Sequence, residues 1–182
     1  MKHRIVFIII ALLLIATFSK PVRAAEPVSD ASAALSFGKI ARDTRVDMLT
    51  AYLNAYNSPL TAESKHFIAE ADRLHLDWRL VAAISGVEST FGKNIPPRSY
   101  NAWGWGIPTG TQSGLAFTSW KEGITAVSEG LRYNYFDRGL QTIEQVGRVY
   151  AASPRWAGNV RYFLNNIDAF TPTDPDLLEV IL

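Results

Sequence analysis

Leu80-Val81-Ala82-Ala83-Ile84-Ser85-Gly86-Val87-Glu88-Ser89-Thr90-Phe91-Gly92 is the stretch from which the rest of the chain can be read. Leu80, Ile84, Val87 and Phe91 recur at helical spacing and predict a helix over roughly 78–91 with one apolar stripe. Glu88 falls on the shoulder of that stripe, beside Val81 rather than on the opposite face. It also sits in the last turn before Gly92, the expected C-cap, where the helix end disfavours a second negative charge. Partial screening from water and the helix end both raise a carboxyl pKa. A general acid needs that shift if it is to hold a proton near neutral pH. The plainer reading of the same residue is a solvated glutamate near a helix end.

Similar stripes flank this segment. Met48, Leu49, Tyr52, Leu53 and Tyr56 predict a helix stopped by Ser58-Pro59, and Thr61 opens another carrying Phe67, Ile68, Ala71 and Leu74. Downstream, Ser119-Trp120-Lys121-Glu122 reads as a capping box before Ile124, Val127, Leu131 and Tyr135. Thr142-Ile143-Glu144-Gln145 repeats the device, and Ser153-Pro154 supplies an N-cap and first-turn proline before Trp156, Val160, Phe163, Leu164 and Ile167. The expected fold is all-α with about six helices. Residues 93–118 interrupt it with three prolines, four glycines, Trp103 and Trp105. A loop that long inside a domain is usually functional. It is expected to stay a loop or to form a small hairpin with arms 102–107 and 115–118 and Thr109-Gly110 near the turn.

The chain begins with Lys2, His3 and Arg4, then fourteen mostly apolar residues from Ile5 to Phe18, then Val22-Arg23-Ala24. This is the pattern of a signal peptide, residues 1–24, cut before Ala25. The apolar run falls short of the ~20 residues a membrane-spanning helix needs, so no stable span is expected after cleavage. Cleavage removes four of the 18 basic residues and none of the 17 acidic ones, leaving a net charge of −3. Such a domain lacks the basic patch of nucleic-acid binders. The expected organisation continues with a flexible lead over 25–42, one domain over 43–170 and a tail over 171–182. The absence of cysteine excludes thiol catalysis, thiolate metal sites and a lipidated cysteine. His66 and His75 are nine apart and match no helical metal pair, so neither metal nor cofactor is implied.

After Glu88-Ser89-Thr90-Phe91-Gly92 comes Asn101-Ala102-Trp103-Gly104-Trp105-Gly106, then Phe117-x-x-Trp120-x-x-Gly123-Ile124 and the Tyr150-Ala151-Ala152 to Trp156 segment. In this order and spacing, over roughly residues 72–168, the chain resembles the glucosaminidase-type branch of the lysozyme-like superfamily, the mannosyl-glycoprotein endo-β-N-acetylglucosaminidase-like enzymes. The resemblance implies a lysozyme-like domain whose catalytic acid is Glu88. It implies as substrate the β-1,4-linked aminosugar backbone of peptidoglycan, met outside the cytoplasm by a periplasmic or secreted enzyme. Ser89, Asn101, Trp103, Trp105 and Tyr150 become the expected substrate-binding residues. Sugars present apolar faces edged by hydroxyls, which aromatic rings beside amides and hydroxyls match. The alternative for the tryptophans is core packing under the loop, and for Tyr150 a half-buried helix end.

The chain departs from the family pattern in the insertion 93–100 with Pro96-Pro97, and in having no evident second carboxylate, which two-carboxylate glycosidases require. Glu122 is a candidate whose capping-box position already accounts for it, and Glu129 and Asp137 are others. Lytic transglycosylases of the same superfamily manage with one carboxyl. They usually carry Gly-x-Met-Gln, however, where Gly104-Trp105-Gly106-Ile107 stands here. Hydrolysis is therefore the expected reaction, with transglycosylation or non-catalytic wall binding as alternatives.

Overall fold

The computed structural model describes residues 43–106 and 114–171. Among them are six α-helices and no strand: α1 (Thr44–Ala55), α2 (Ser64–Leu74), α3 (Leu80–Ser89), α4 (Trp120–Asn134), α5 (Ile143–Tyr150) and α6 (Trp156–Asp168). Short 3₁₀ turns stand at Thr61–Glu63 and Phe136–Arg138. The expected signal peptide and lead, all but the first residue of the tail, and the Thr109-Gly110 turn lie outside the described residues.

α3 is the central element, because its sequence has almost no polar face. Leu80, Val81, Ala82, Ala83, Ile84, Ser85, Gly86 and Ser89 are all buried. A helix that is apolar nearly all round must be enclosed by others. α6 packs closely on α3, α2 packs on α4, α1 on α2 and α5 on α6. Gly86 lets α3 take aromatic rings close against it: a Cβ there would lie 2.7 Å from the Phe91 ring and 3.1 Å from Phe163 of α6. The buried members of the amphipathic stripes, including Leu49, Leu53, Phe67, Ile68, Ile124, Val127, Leu131, Val160 and Ile167, fill the core around it.

Helix starts follow local chemistry. Thr142 and Gln145 make the full reciprocal capping box at α5. At α4, Ser119 Oγ accepts from Glu122 N at 3.2 Å, but the Glu122 carboxylate reaches back one residue further, accepting from Thr118 N at 2.6 Å and from the Thr118 hydroxyl. α6 starts later than Ser153-Pro154 suggests, because Ser153 Oγ accepts from Arg155 N and holds a preliminary turn. Polar ties then align neighbouring helices. His66 Nε2 lies 3.0 Å from Thr125 Oγ1 and 3.2 Å from Lys121 O, and Arg73 bridges Glu70 and Glu129, both pairings joining α2 to α4. Arg79 joins Asp77 to Asp168 of α6. Exposed ion pairs of this kind contribute only ~0–1 kcal/mol each, so they set register more than stability.

The end of α3 differs from expectation. Phe91 is fully buried, yet it is not a helical residue: Thr90, Phe91 and Gly92 take φ of 52°, 58° and 81° in succession. Thr90 N donates to Gly86 O, the single bond of the αL close, and Phe91 N reaches one residue further back to Ser85 O. Thr90 therefore stands where glycine normally does, and Gly92 lies two residues beyond. A β-branched residue in the left-handed region is costly. Thr90 is exposed, and its hydroxyl makes a surface bond with Asn94 Nδ2 at 3.1 Å. Thr90→Gly is expected to raise stability by about 1 kcal/mol, the left-handed penalty less the entropy that glycine adds to the unfolded chain. Denaturant midpoints check this; a lower midpoint would show that the threonine side chain contributes more than its backbone costs.

Candidate active site

Ser89 ties the left-handed turn to the following loop. Its hydroxyl donates toward Ala102 O at 2.7 Å, with Ser85 O at 3.1 Å as a second acceptor, and accepts from Gly92 N at 2.8 Å. Asn101 organises the loop itself. Oδ1 accepts from Trp105 N (3.0 Å) and Trp103 N (3.3 Å), while Nδ2 donates to Trp105 O and Leu115 O, both at 2.8 Å. The loop reading thus holds over the hairpin: residues 102–106 and 114–118 form no strand. Gly104 and Gly106 turn the chain at φ 61° and 64°, and the Asn101 amide spans the two arms.

The two tryptophans part company. Trp103 is 0% exposed, donates its indole N–H to Val81 O at 2.9 Å and lies near Phe67. Trp105 is half-buried beside Tyr150 and Tyr135, at ring separations of 5.7 and 6.2 Å. Both are received by notches on α4. A Cβ on Gly123 would lie 2.6 Å from the Trp103 ring, and one on Gly130 would lie 2.1 Å from that of Trp105. Gly123 and Gly130 are seven residues apart and share a helix face. Of the expected substrate-binding residues, Ser89, Asn101 and Trp103 have buried side chains bonded to backbone partners or packed in the core, whereas Trp105 and Tyr150 are partly exposed. Their bonds and packing hold the loop against α3 and α4.

Glu88 and the remaining aromatics do converge. Glu88 is exposed at the end of α3, and its Oε1 accepts from Trp156 Nε1 at 2.7 Å. Trp156 stacks on Tyr150 with centroids 4.8 Å apart at 26°, Tyr150 lies 6.0 Å from Tyr135, and Trp105 touches both tyrosines. Trp105, Tyr135 and Tyr150 are the partly exposed rings of a wall, and the buried Trp156 backs it and holds the carboxylate at its end. Gly104 faces the other carboxylate oxygen, where a Cβ would lie 3.5 Å from Oε2. Although solvent reaches the side chain, the surrounding protein strips water from its carboxyl and raises the Glu88 pKa, an effect the Trp156 bond opposes by favouring the charged form. Tyr150 donates its hydroxyl to Trp103 O at 2.9 Å. Burial first, then the nearby Glu88 charge and Tyr135, push its pKa well above the ordinary tyrosine value. It remains a neutral phenol whose proton is committed to the loop.

Trp156 and Tyr135 were not among the residues expected at the site, since each reads as a stripe position on its own helix. The signal for Trp156 was its place at the end of the Tyr150-Ala151-Ala152 segment. The candidate second carboxylates are engaged elsewhere: Glu122 with Thr118, which lowers its pKa, Glu129 with Arg73 and Asp137 with Arg132. Hollows of about 410 and 460 Å³ lie around α5 and α6, and Glu88 lines neither. Among the described residues no helix is long and apolar enough to cross a membrane. The sequence matches no protein-family model and none of the curated proteins compared with it.

Proposed function

We propose that this is a lysozyme-like domain that cleaves the β-1,4 glycosidic bonds of peptidoglycan glycan strands, as an N-acetylglucosaminidase-type hydrolase with Glu88 as general acid. The observation that carries the reading is the Glu88 carboxyl itself: its pKa is raised by burial, one oxygen is fixed by Trp156, and it stands at the end of the Trp105–Tyr135–Tyr150–Trp156 wall. The partly exposed rings of Trp105, Tyr135 and Tyr150 suit the apolar faces of sugars, while the buried Trp156 holds the carboxyl. In the reaction Glu88 gives its proton to the glycosidic oxygen, the C1–O bond breaks and its electron pair leaves with that oxygen. Water then attacks C1 and returns a proton to the Glu88 carboxylate.

A second reading is favoured by the engagement of Glu122, Glu129 and Asp137 away from Glu88. If no second carboxylate activates water, the sugar's own hydroxyl attacks C1 instead, as in a lytic transglycosylase. Mass analysis of fragments released from purified peptidoglycan separates the two. Reducing ends are expected for hydrolysis and anhydro ends for transglycosylation, while wall binding without soluble fragments would reject both in favour of a non-catalytic binder. The reading also places the protein outside the cytoplasm. N-terminal sequencing of exported protein should begin at Ala25, and an intact Met1 chain confined to the cytosol would overturn that placement.

A further inference from the structure

The two oxygens of Glu88 have unlike surroundings. Oε1 is 2.7 Å from Trp156 Nε1, an indole nitrogen that can only donate. The position of that donor is over-determined. Trp156 is 2% exposed, it stacks on Tyr150, whose hydroxyl is bound to Trp103 O, and Gly147 lies under its ring so closely that a Cβ there would come within 2.9 Å. Among the described residues nothing hydrogen-bonds to Oε2. Its neighbour is Gly104, at φ 61°, and among the described residues no side chain at that position covers the oxygen.

Building on the functional reading above, we infer that the fold gives these oxygens separate tasks. Trp156 fixes Oε1 as an acceptor, and Oε2 carries the proton and delivers it to the leaving group through the space that Gly104 keeps open. In a neutral carboxyl the carbonyl oxygen is the better acceptor and the hydroxyl oxygen the donor, so the indole bond selects the protonation site. A leaving oxygen must come within about 2.6–3.2 Å of the donor. A methyl group on residue 104, 3.5 Å from Oε2, would stand in that approach without displacing Glu88. Trp156 and Gly104 are thus positioning residues. The indole bond also stabilises the carboxylate, so removing it raises the pKa of Glu88. Of the groups facing Glu88, α5 contributes Tyr150, with Tyr135 from the end of α4 behind it. Burial raises the pKa of both phenols, and α6 contributes the non-titrating Trp156. Glu88 is therefore the group that titrates.

The test uses full-length protein, with the Glu88 carboxyl followed by carbon-13 NMR and identified by its absence in Glu88→Gln. In Trp156→Phe the Glu88 titration and the alkaline limb of the activity profile should move together to higher pH. If phenylalanine disturbs packing, replacing Trp156 with 3-benzothienylalanine, which has sulfur in place of the N–H, makes the same test at constant shape. An unmoved or lowered Glu88 titration would overturn the role of Trp156. In Gly104→Ala turnover should fall by about 10²-fold, as for a displaced reacting group. Its stability should drop no more than in Gly139→Ala, where the glycine also has positive φ but a Cβ meets nothing within 4 Å. Native turnover in Gly104→Ala would overturn the assignment of Oε2. The functional reading fails separately: full activity in Glu88→Gln rejects it even if Trp156 does control the Glu88 titration.

Discussion

Glu88→Gln should lower the release of soluble fragments from peptidoglycan by about 10²–10⁴-fold, the usual contribution of a general acid, without destabilising the protein at neutral pH. Glutamine keeps the volume of the side chain and an oxygen that can accept from Trp156, so the 2.7 Å indole bond can persist. What it removes is the transferable proton and the charge. The folded pKa of Glu88 is raised above the ordinary 4.5. Below that value both folded and unfolded chains hold the proton, and Glu88 contributes no pH dependence. Between the ordinary and the raised value the unfolded chain loses a proton that the folded chain keeps, so stability falls as pH rises. Above the raised value the ionised carboxylate is a standing cost to the fold. The variant should therefore be as stable as the native protein in acid and at least as stable at neutral pH, with a flatter dependence between.

That pairing separates a catalytic carboxyl from a structural one. Sites that hold a group against its preferred ionisation sacrifice stability for activity. A structural Glu88 would show the reverse, with melting temperature falling and activity declining only as the folded fraction shrank. Melting curves from acid to neutral pH and a fragment-release assay on the same samples decide between them. Full activity in a folded Glu88→Gln variant would reject the mechanism.

Much of the fold was legible because its determinants are local. Ser119 and Thr142 announce their helices through side-chain bonds to residues three positions on, and the stripe Leu80-Ile84-Val87 announces α3. The end of α3 was not legible. Phe91 continues the helical stripe in sequence but reaches the core through a left-handed turn, and no composition rule places threonine at the closing position. Of the candidate site, the partly screened setting of Glu88 at the end of α3 was legible, and the loop in part. Its hydrogen-bond partner, Trp156, lies 68 residues away, and a loop has no periodicity from which to tell an inward tryptophan from an outward one. The distinction between Trp103 and Trp105 is set by their surroundings on another helix, namely the notches at Gly123 and Gly130. A pair of glycines seven apart on a helix face, unexplained by any turn, was the available clue.

Trp103→Ala is expected to cost about 3–5 kcal/mol, the range for deleting a fully buried aromatic side chain. The ring is 0% exposed, lies near Phe67 and abuts Gly123, and its N–H satisfies Val81 O. Alanine would leave a void that these neighbours cannot close without moving α3 or α4. Against a total stability of roughly 5–15 kcal/mol, such a loss is a large share, and melting temperature should fall by roughly 10 °C or more. Activity should follow the folded fraction and return on cooling, because the Glu88–Trp156 pair does not include the Trp103 side chain. Trp105→Ala should show the opposite order, since that ring is half-buried in the wall beside Glu88: weaker wall binding with a smaller loss of stability. If Trp103 instead gripped a sugar, its alanine variant would melt near the native temperature and lose binding first. Thermal melts and wall-binding isotherms of the two variants, measured side by side, distinguish the tryptophan that builds the site from the one that lines it.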